Sequence, residues 1–354
     1  MVRTRTVFVI GAGASKEVGL PLSSELTEQI TSAYDYSFSA GKLTHGDGLL
    51  LDVFRLEANA AKARKSDVDS YVRAARRIST AMPQAMSIDS FVDQHRGDLL
   101  IEKCAKLAIV RMILRAEHAS TLKGPAAGKS YAPQFARLRN TWFAKLWTVL
   151  TGSCTVRDLA ERLQSFTFVV FNYDRCLEHF LYHSIQNYYG TSSEHAAELL
   201  RRVVIHHPYG STGSLDWQPG QPRMTFGDDP HAVQIHGLSS GIKTFTEGAD
   251  PTASDIDVIR SKVAEADLVV FLGFAFHNQN LHLLAPSGDS VPNRAMKTYL
   301  ATAYGMSRSD TNSIRDAIPR VLRSTNNLHV HVHNDLTCAA LFDEYRRTLA
   351  LPEV

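Results

Sequence analysis

Val7-Phe8-Val9-Ile10-Gly11-Ala12-Gly13-Ala14-Ser15 decides how the rest of this chain is read. A short apolar run rich in β-branched residues that ends in glycines has the pattern of a strand buried in a parallel sheet. Leu22, Leu26 and Ile30 follow at intervals of four, which is one stripe of a helix. The opening is therefore strand, glycine loop, helix. Arg3 and Arg5 ahead of the run imitate a secretory signal. The apolar stretch is too short for that role, and cleavage among the small residues would destroy the glycine loop, so a first strand is expected.

The same alternation returns after residue 165. Strands are predicted at Phe166 to Phe171, Val203 to Ile205, Leu268 to Leu272, Thr298 to Ala303 and Leu328 to His333. A helix after the first of these would face Leu177, Phe180, Leu181, Ile185 and Tyr188 inward, and further helices are expected near Ser254 to Glu265, Ser309 to Leu322 and Thr337 to Leu349. Strand and helix in alternation predict an α/β, Rossmann-like parallel sheet with helices on both faces. Between Gly46 and Gln164 the character changes to helical spacing throughout, with Leu100, Ile101, Cys104, Ala105, Ala108, Ile109, Met112 and Ile113 as one long stripe. Thr155 and Asp158 resemble a capping box before Val156, Leu159 and Leu163. The expected organisation is residues 1–45 and 165–354 as a nucleotide-binding Rossmann domain, interrupted by an all-helical insertion over 46–164. Tyr209 to Pro230 has no periodicity and reads as a long loop.

Composition narrows the function. The 354 residues are 44% hydrophobic and 21% charged, with 38 basic against 36 acidic side chains, so a net charge of +2 gives no strong global attraction to nucleic acid or anionic membrane. No stretch approaches the ~18 consecutive apolar residues of a spanning helix. The four cysteines, Cys104, Cys154, Cys176 and Cys338, are far apart and never form C-x-x-C, which suggests neither a disulfide framework nor a cysteine zinc site and fits a reducing cytoplasm.

Four clusters at predicted strand ends hold the chemistry. In Gly11-Ala12-Gly13-Ala14-Ser15 the glycines would let backbone approach a pyrophosphate at a helix N-terminus, although Lys16 stands where the third glycine of the dinucleotide fingerprint belongs. A tight strand-to-helix turn explains the same residues. Phe171-Asn172-Tyr173-Asp174 ends the second strand, where α/β sheets bind ligands, though Asp174 reads equally as a helix cap. His206-His207-Pro208-Tyr209-Gly210-Ser211 offers a histidine as a base. Leu272-Gly273-Phe274-Ala275-Phe276-His277-Asn278-Gln279-Asn280 adds another glycine turn followed by hydrogen-bonding side chains.

Together these segments resemble the sirtuin (SIR2) family. Gly11-Ala12-Gly13-Ala14-Ser15 with Gly19-Leu20-Pro21 looks like the family's G-A-G-x-S … G-I-P opening, Phe171-Asn172-Tyr173-Asp174 like its Q-N-x-D segment, and the turn at Gly273 like its later nucleotide turn. The N-Y-D and L-G-F-x-F-H-x-x-N segments around a helical insertion are more closely similar to SIR2-like NADases of bacterial antiphage systems. The resemblance implies an enzyme, a hydrolase cleaving NAD to nicotinamide and ADP-ribose as an abortive-infection effector in antiviral defence. It implies Asn172, His207 and Asp174 as catalytic, and Gly11, Ala12, Gly13, Ser15, Pro21, Gly273, Phe274 and Asn280 as contacts to NAD, which is substrate. It further implies a homo-oligomer, with a HerA-type ATPase or another defence partner, and nucleic acid involved only indirectly.

The chain departs from the family in two places. Without the four-cysteine module no zinc is expected and protein deacetylation is disfavoured, and the family's His-Gly pair appears literally only at His236-Gly237, which competes with His207 for the role of base. The alternative function is a non-hydrolytic module that senses NAD or ADP-ribose. His329, His331 and His333 share one strand face and read as a solvated or interfacial face before they read as a metal site. Arg73, Arg76 and Arg77, with Lys62, Arg64 and Lys65, read as the solvated side of a helix before they read as a partner surface. Met82, Met86, Trp142 and Trp147 are expected in core or interface.

Overall fold

The computed structural model describes residues 5–60, 67–125, 131–252, 254–286, 296–324 and 328–350. The chain runs β1 (Thr6–Ile10), α1 (Ala12–Lys16), α2 (Ser23–Tyr34), a hairpin of β2 (Ser37–Ser39) and β3 (Lys42–His45), then α3 (Gly48–Ala60), α4 (Val68–Ala81), α5 (Ile88–Gln94), α6 (Leu99–Ala119), α7 (Trp142–Thr151) and α8 (Val156–Leu163). It continues through β4 (Phe166–Val170), α9 (Cys176–Tyr189), α10 (Ser193–Leu200), β5 (Val204–His206), α11 (Ala232–Leu238), α12 (Phe245–Ala249) and α13 (Ile256–Glu265). The remainder is β6 (Leu268–Leu272), α14 (Asn278–Leu283), β7 (Lys297–Thr302), α15 (Arg308–Val321), β8 (Leu328–His333), α16 (Cys338–Glu344) and α17 (Arg346–Leu349).

Six strands form one parallel sheet in the order β5-β4-β1-β6-β7-β8. Counted along the chain, that is third, second, first, fourth, fifth, sixth, the Rossmann order. The order reverses direction between β1 and β6, and a parallel sheet opens a crevice at the carboxyl ends of the strands at such a point.

Every residue of β1, β4 and β6 is buried, because helices cover both faces. Successive side chains point to opposite faces. Val7 and Val9 of β1, Val169 of β4, and Val269 and Phe271 of β6 join a core with α2, α3, α4, α6, α13 and α15. Phe8 and Ile10, Phe166, Phe168 and Val170, and Val270 and Leu272 join another with α7, α8, α9, α10 and α16. Each fully buried side chain of this size contributes about 1.5–3 kcal/mol relative to exposure. The helices of 46–164 thus divide between the two faces of the sheet: α3 to α6 complete one core, and α7 and α8 the other.

The literal His-Gly pair, His236-Gly237, lies in helix α11, where Ile235 and Leu238 face the core and Val233 faces solvent. Three local expectations are corrected. Tyr188 is 61% exposed, its ring set edge-on to Trp147 and Tyr189. The helix expected over 337–349 breaks at Tyr345, whose backbone leaves helical geometry and whose ring lies against His331 and His333. Thr155 Oγ1 donates to the Asp158 carboxylate at 2.6 Å instead of capping a backbone amide. The exposed β2–β3 hairpin carries no strong apolar alternation. Its turn residues Ala40 and Gly41 both have positive φ, which matches the twist of a two-residue hairpin turn.

Other side chains singled out in the sequence have ordinary partners. Arg76 donates to Tyr36 O at 2.8 and 3.1 Å, Arg77 pairs with Asp98 at 3.2 Å and Arg73 donates to Ser70 at 2.9 Å. Lys62, Arg64 and Lys65 lie outside the described residues. His329 and His331 are exposed on edge strand β8, and among the described residues no three metal-ligating side chains converge. Trp142 and Met82 are core, Trp147 is half-buried and Met86 is exposed. No helix among the described residues is long and apolar enough to cross a membrane, and the four cysteines are free thiols.

The glycines at the switch point set the sheet's tolerance. Gly273 has φ +55, and a Cβ there would lie 2.1 Å from Ala14 N and 2.3 Å from Gly13 C. Gly273→Ala is expected to destabilise the fold by about 3 kcal/mol, through backbone overpacking and a left-handed conformation together. Urea unfolding of the variant beside wild type measures it, and a loss under about 1 kcal/mol would contradict this packing.

Candidate functional site

The loop after β1 and the loop after β6 are fastened to each other by backbone. Gly11 N donates to Leu272 O at 2.9 Å and Gly13 N donates to Gly273 O at 3.0 Å. A Cβ on Gly11 would sit 2.5 Å from Gly273 O, and one on Gly13 would sit 2.8 Å from Gly273 Cα. The glycines are thus explained first by strand-end packing. Three amides of the loop, those of Gly11, Gly13 and Ala14, are already engaged, so an anion here would rely on the remaining donors at the start of α1. Pro21 is buried just before α2, where Leu22 N donates to the Glu25 carboxylate at 2.8 Å.

Asn172 joins a third strand to this junction. It follows β4 and is buried, and its Nδ2 donates to Gly11 O at 3.1 Å and to Ser15 Oγ at 2.9 Å. The sheet therefore brings Gly11, Gly13, Ser15, Asn172 and Gly273 into one cluster at the switch point. Phe274, buried beside Gly273, meets Phe171 edge-on with ring centroids 5.0 Å apart. Ala12 is half-buried on the same loop.

Asp174 is not the cap of α9, which is Arg175; it stands one residue earlier and accepts from Cys176 N, the first amide of the helix, at 3.0 Å. Beside it lies a pair that sequence reasoning missed. Arg175, 1% exposed, donates from its backbone N at 3.1 Å and from Nε at 3.2 Å to Glu117 Oε1, and its Nη2 also bonds Glu117, which is fully buried on α6. Burial pushes the Glu117 carboxyl up, while the guanidinium opposes that shift. The pair ties the end of β4 to the longest helix of the 46–164 segment.

His207 occupies the end of β5, and both of its ring nitrogens face oxygen acceptors. Nδ1 meets Asn172 O at 3.1 Å and Nε2 meets Glu178 Oε1 at 2.7 Å. The Asn172 carbonyl can only accept, so Nδ1 carries hydrogen, and the Glu178 carboxyl beside Nε2 favours the doubly protonated ring. Burial opposes that charge, yet the Glu178 carboxylate and the Asn172 carbonyl outweigh it and hold the His207 pKa above the ordinary value. Glu178 Oε2 is buried with no hydrogen bond. Glu178 was not singled out by sequence, although it stands in the first turn of α9, four residues after Asp174.

His236 is elsewhere. From α11 its Nδ1 meets Glu57 Oε1 of α3 at 2.7 Å, and Glu57 also holds Lys103 Nζ at 2.7 Å. Asn280, at the start of α14, accepts from the Tyr209 hydroxyl at 2.5 Å and makes no described contact with the glycine loop. A cavity of about 300 Å³ opens beyond β5, with His206, His207, Lys243 and Asp255 among its walls, at the edge of the sheet and not at the switch point.

Two measurements follow from these buried charges. Glu117→Ala would leave Arg175 buried without its counter-charge and is expected to cost about 3–5 kcal/mol in urea unfolding. For His207 the folded pKa lies above the unfolded value, so its stabilisation is complete below about 6.5 and is lost as pH rises through the folded pKa. Wild-type stability should therefore fall more steeply than that of Glu178→Gln as pH rises above about 6.5, and parallel pH profiles would refute the assignment.

No family model matches this chain, and it matches no curated protein.

Proposed function

We propose that the protein hydrolyses NAD to nicotinamide and ADP-ribose, as a SIR2-like enzyme. The observation that supports this most is the meeting of Gly11 to Ser15, Asn172 and Gly273 at the switch point of a sheet in Rossmann order. Dinucleotides bind across such crevices. Loss of nicotinamide expels a neutral leaving group and builds oxocarbenium character on the ribose. The protein must therefore hold the pyrophosphate, exclude bulk water and place one water molecule. In this reading the start of α1 takes the pyrophosphate and Phe274 with Phe171 walls the crevice. Asn172 acts as a rigid amide that orients ribose or water, and an amide cannot carry the proton. His207, holding both ring protons, acts through charge and through its grip on the Asn172 carbonyl. Asp174 shapes the turn that presents Asn172. The wider role we propose is a cytoplasmic abortive-infection effector, restrained by self-association or by a partner such as a HerA-type ATPase.

One observation favours a second reading, a sensor that binds NAD or ADP-ribose without cleaving it. With Nδ1 held by Asn172 O and Nε2 by Glu178, His207 has no free ring nitrogen to take a proton from water.

Nicotinamide release from NAD by the purified protein separates the two. Hydrolysis predicts release that falls at least about 100-fold in Asn172→Ala, with the melting temperature lowered only by the loss of two buried hydrogen bonds, about 1–3 kcal/mol. Absence of release, together with a melting temperature raised by NAD or ADP-ribose, would replace the enzyme with the sensor.

A further inference from the structure

The helical segment sends a carboxylate into the same end of the sheet. Ile88, Phe91 and Val92 of α5 are buried in the core, and Asp89 and Asp93, four residues apart, lie on another face of that helix. Asp89 Oδ1 accepts from the hydroxyl of Tyr173, the residue directly after Asn172. Asp93 accepts from Gln279 Nε2 at 3.2 Å. Tyr209, after β5, donates to Asn280 at 2.5 Å, the residue next to Gln279. The loop after β4 therefore meets α5 at Asp89, the loop after β6 meets it at Asp93, and Tyr209 ties the loop after β5 to the same end of the sheet. Phe276, next to His277, is held at φ +54, a left-handed conformation that non-glycine residues adopt only when the surroundings impose it.

The other carboxylates around Asn172 are buried: Glu178 holds His207, Glu117 holds Arg175 and Asp174 takes Cys176 N. Asp89 is only half-buried, so it can meet a bound molecule. We propose that Asp89 is the general base of the hydrolysis, a catalytic carboxylate that the helical segment supplies to the Rossmann sheet. This inference rests on the NAD-hydrolase reading. In the step, a water oxygen bonds to the anomeric carbon of the nicotinamide ribose, and the carbon–nitrogen bond breaks with its electron pair leaving on neutral nicotinamide. The water proton passes to Asp89 and then to solvent. Burial raises the Asp89 carboxyl above its ordinary value, against the pull of the Tyr173 hydroxyl and of His277, which moves it towards working pH.

The test is nicotinamide release by the full chain across pH 4 to 9, for wild type, Asp89→Asn and Asp89→Glu, with NAD affinity by calorimetry. Asp89→Asn keeps the size and an acceptor for Tyr173, so its affinity should stay within about threefold while kcat falls about 100-fold or more and the acid limb of the profile disappears. Asp89→Glu should recover part of the rate and the limb. A wild type that turns over NAD beside an Asp89→Asn variant with the same kcat and the same acid limb overturns this inference and leaves the hydrolase standing. A wild type that releases no nicotinamide overturns the hydrolase and this inference with it.

Discussion

Everything at the carboxyl edge of the sheet depends on how closely two backbones approach between β1 and β6. Gly11 and Gly13 lie against Gly273 at distances a single methyl group would abolish, and two amide-to-carbonyl bonds bridge the loops there. The approach closes the switch point of the sheet and fixes where α1 begins. It also sets Gly11 O and Ser15 Oγ where Asn172 reaches both from β4. Three strand ends thereby become one rigid junction. Rigidity of this kind lets a short amide side chain act as an orienting group, because its own position is over-determined.

Around the junction the chain buries charge in pairs. His207 with Glu178 and Arg175 with Glu117 both bracket the segment from Asn172 to Glu178. Desolvating two ions is costly, and their attraction repays it only when hydrogen bonds satisfy both, as the guanidinium of Arg175 achieves against Glu117 and Met224 O. Such pairs contribute little net stability but penalise any arrangement that separates them, which gives this segment one geometry. They also join the segment to α6. The helical stretch between β3 and β4 is thus a structural partner of the sheet, filling both cores and reaching the site with Glu117 and Asp89.

Much of the architecture was legible because burial on both faces leaves an unmistakable trace. Runs such as Phe166 to Val170 and Leu268 to Leu272 have no polar face to present and must be central parallel strands. Shorter apolar runs carry less information, and Val233 to Ile235 lies in a helix in which Ile235 is buried and Val233 exposed. The long stripe on α6 was visible, while the buried Glu117 within it was not, since a carboxylate there reads as solvated until its partner, 58 residues away, is placed.

The amino-acid sequence by itself determined the α/β class, the strand ends that could bear chemistry and the glycines at the two loops that meet. These follow from local sterics and from the period of apolar residues, which act over a few positions. Only the tertiary structure decided that the glycines first serve each other, that His207 lies between Asn172 O and Glu178, that His236 belongs to the helices and that Asp89 stands beside Tyr173. Those outcomes depend on distances between residues tens to hundreds of positions apart, and on the protonation that burial and neighbouring charge impose once the chain has closed.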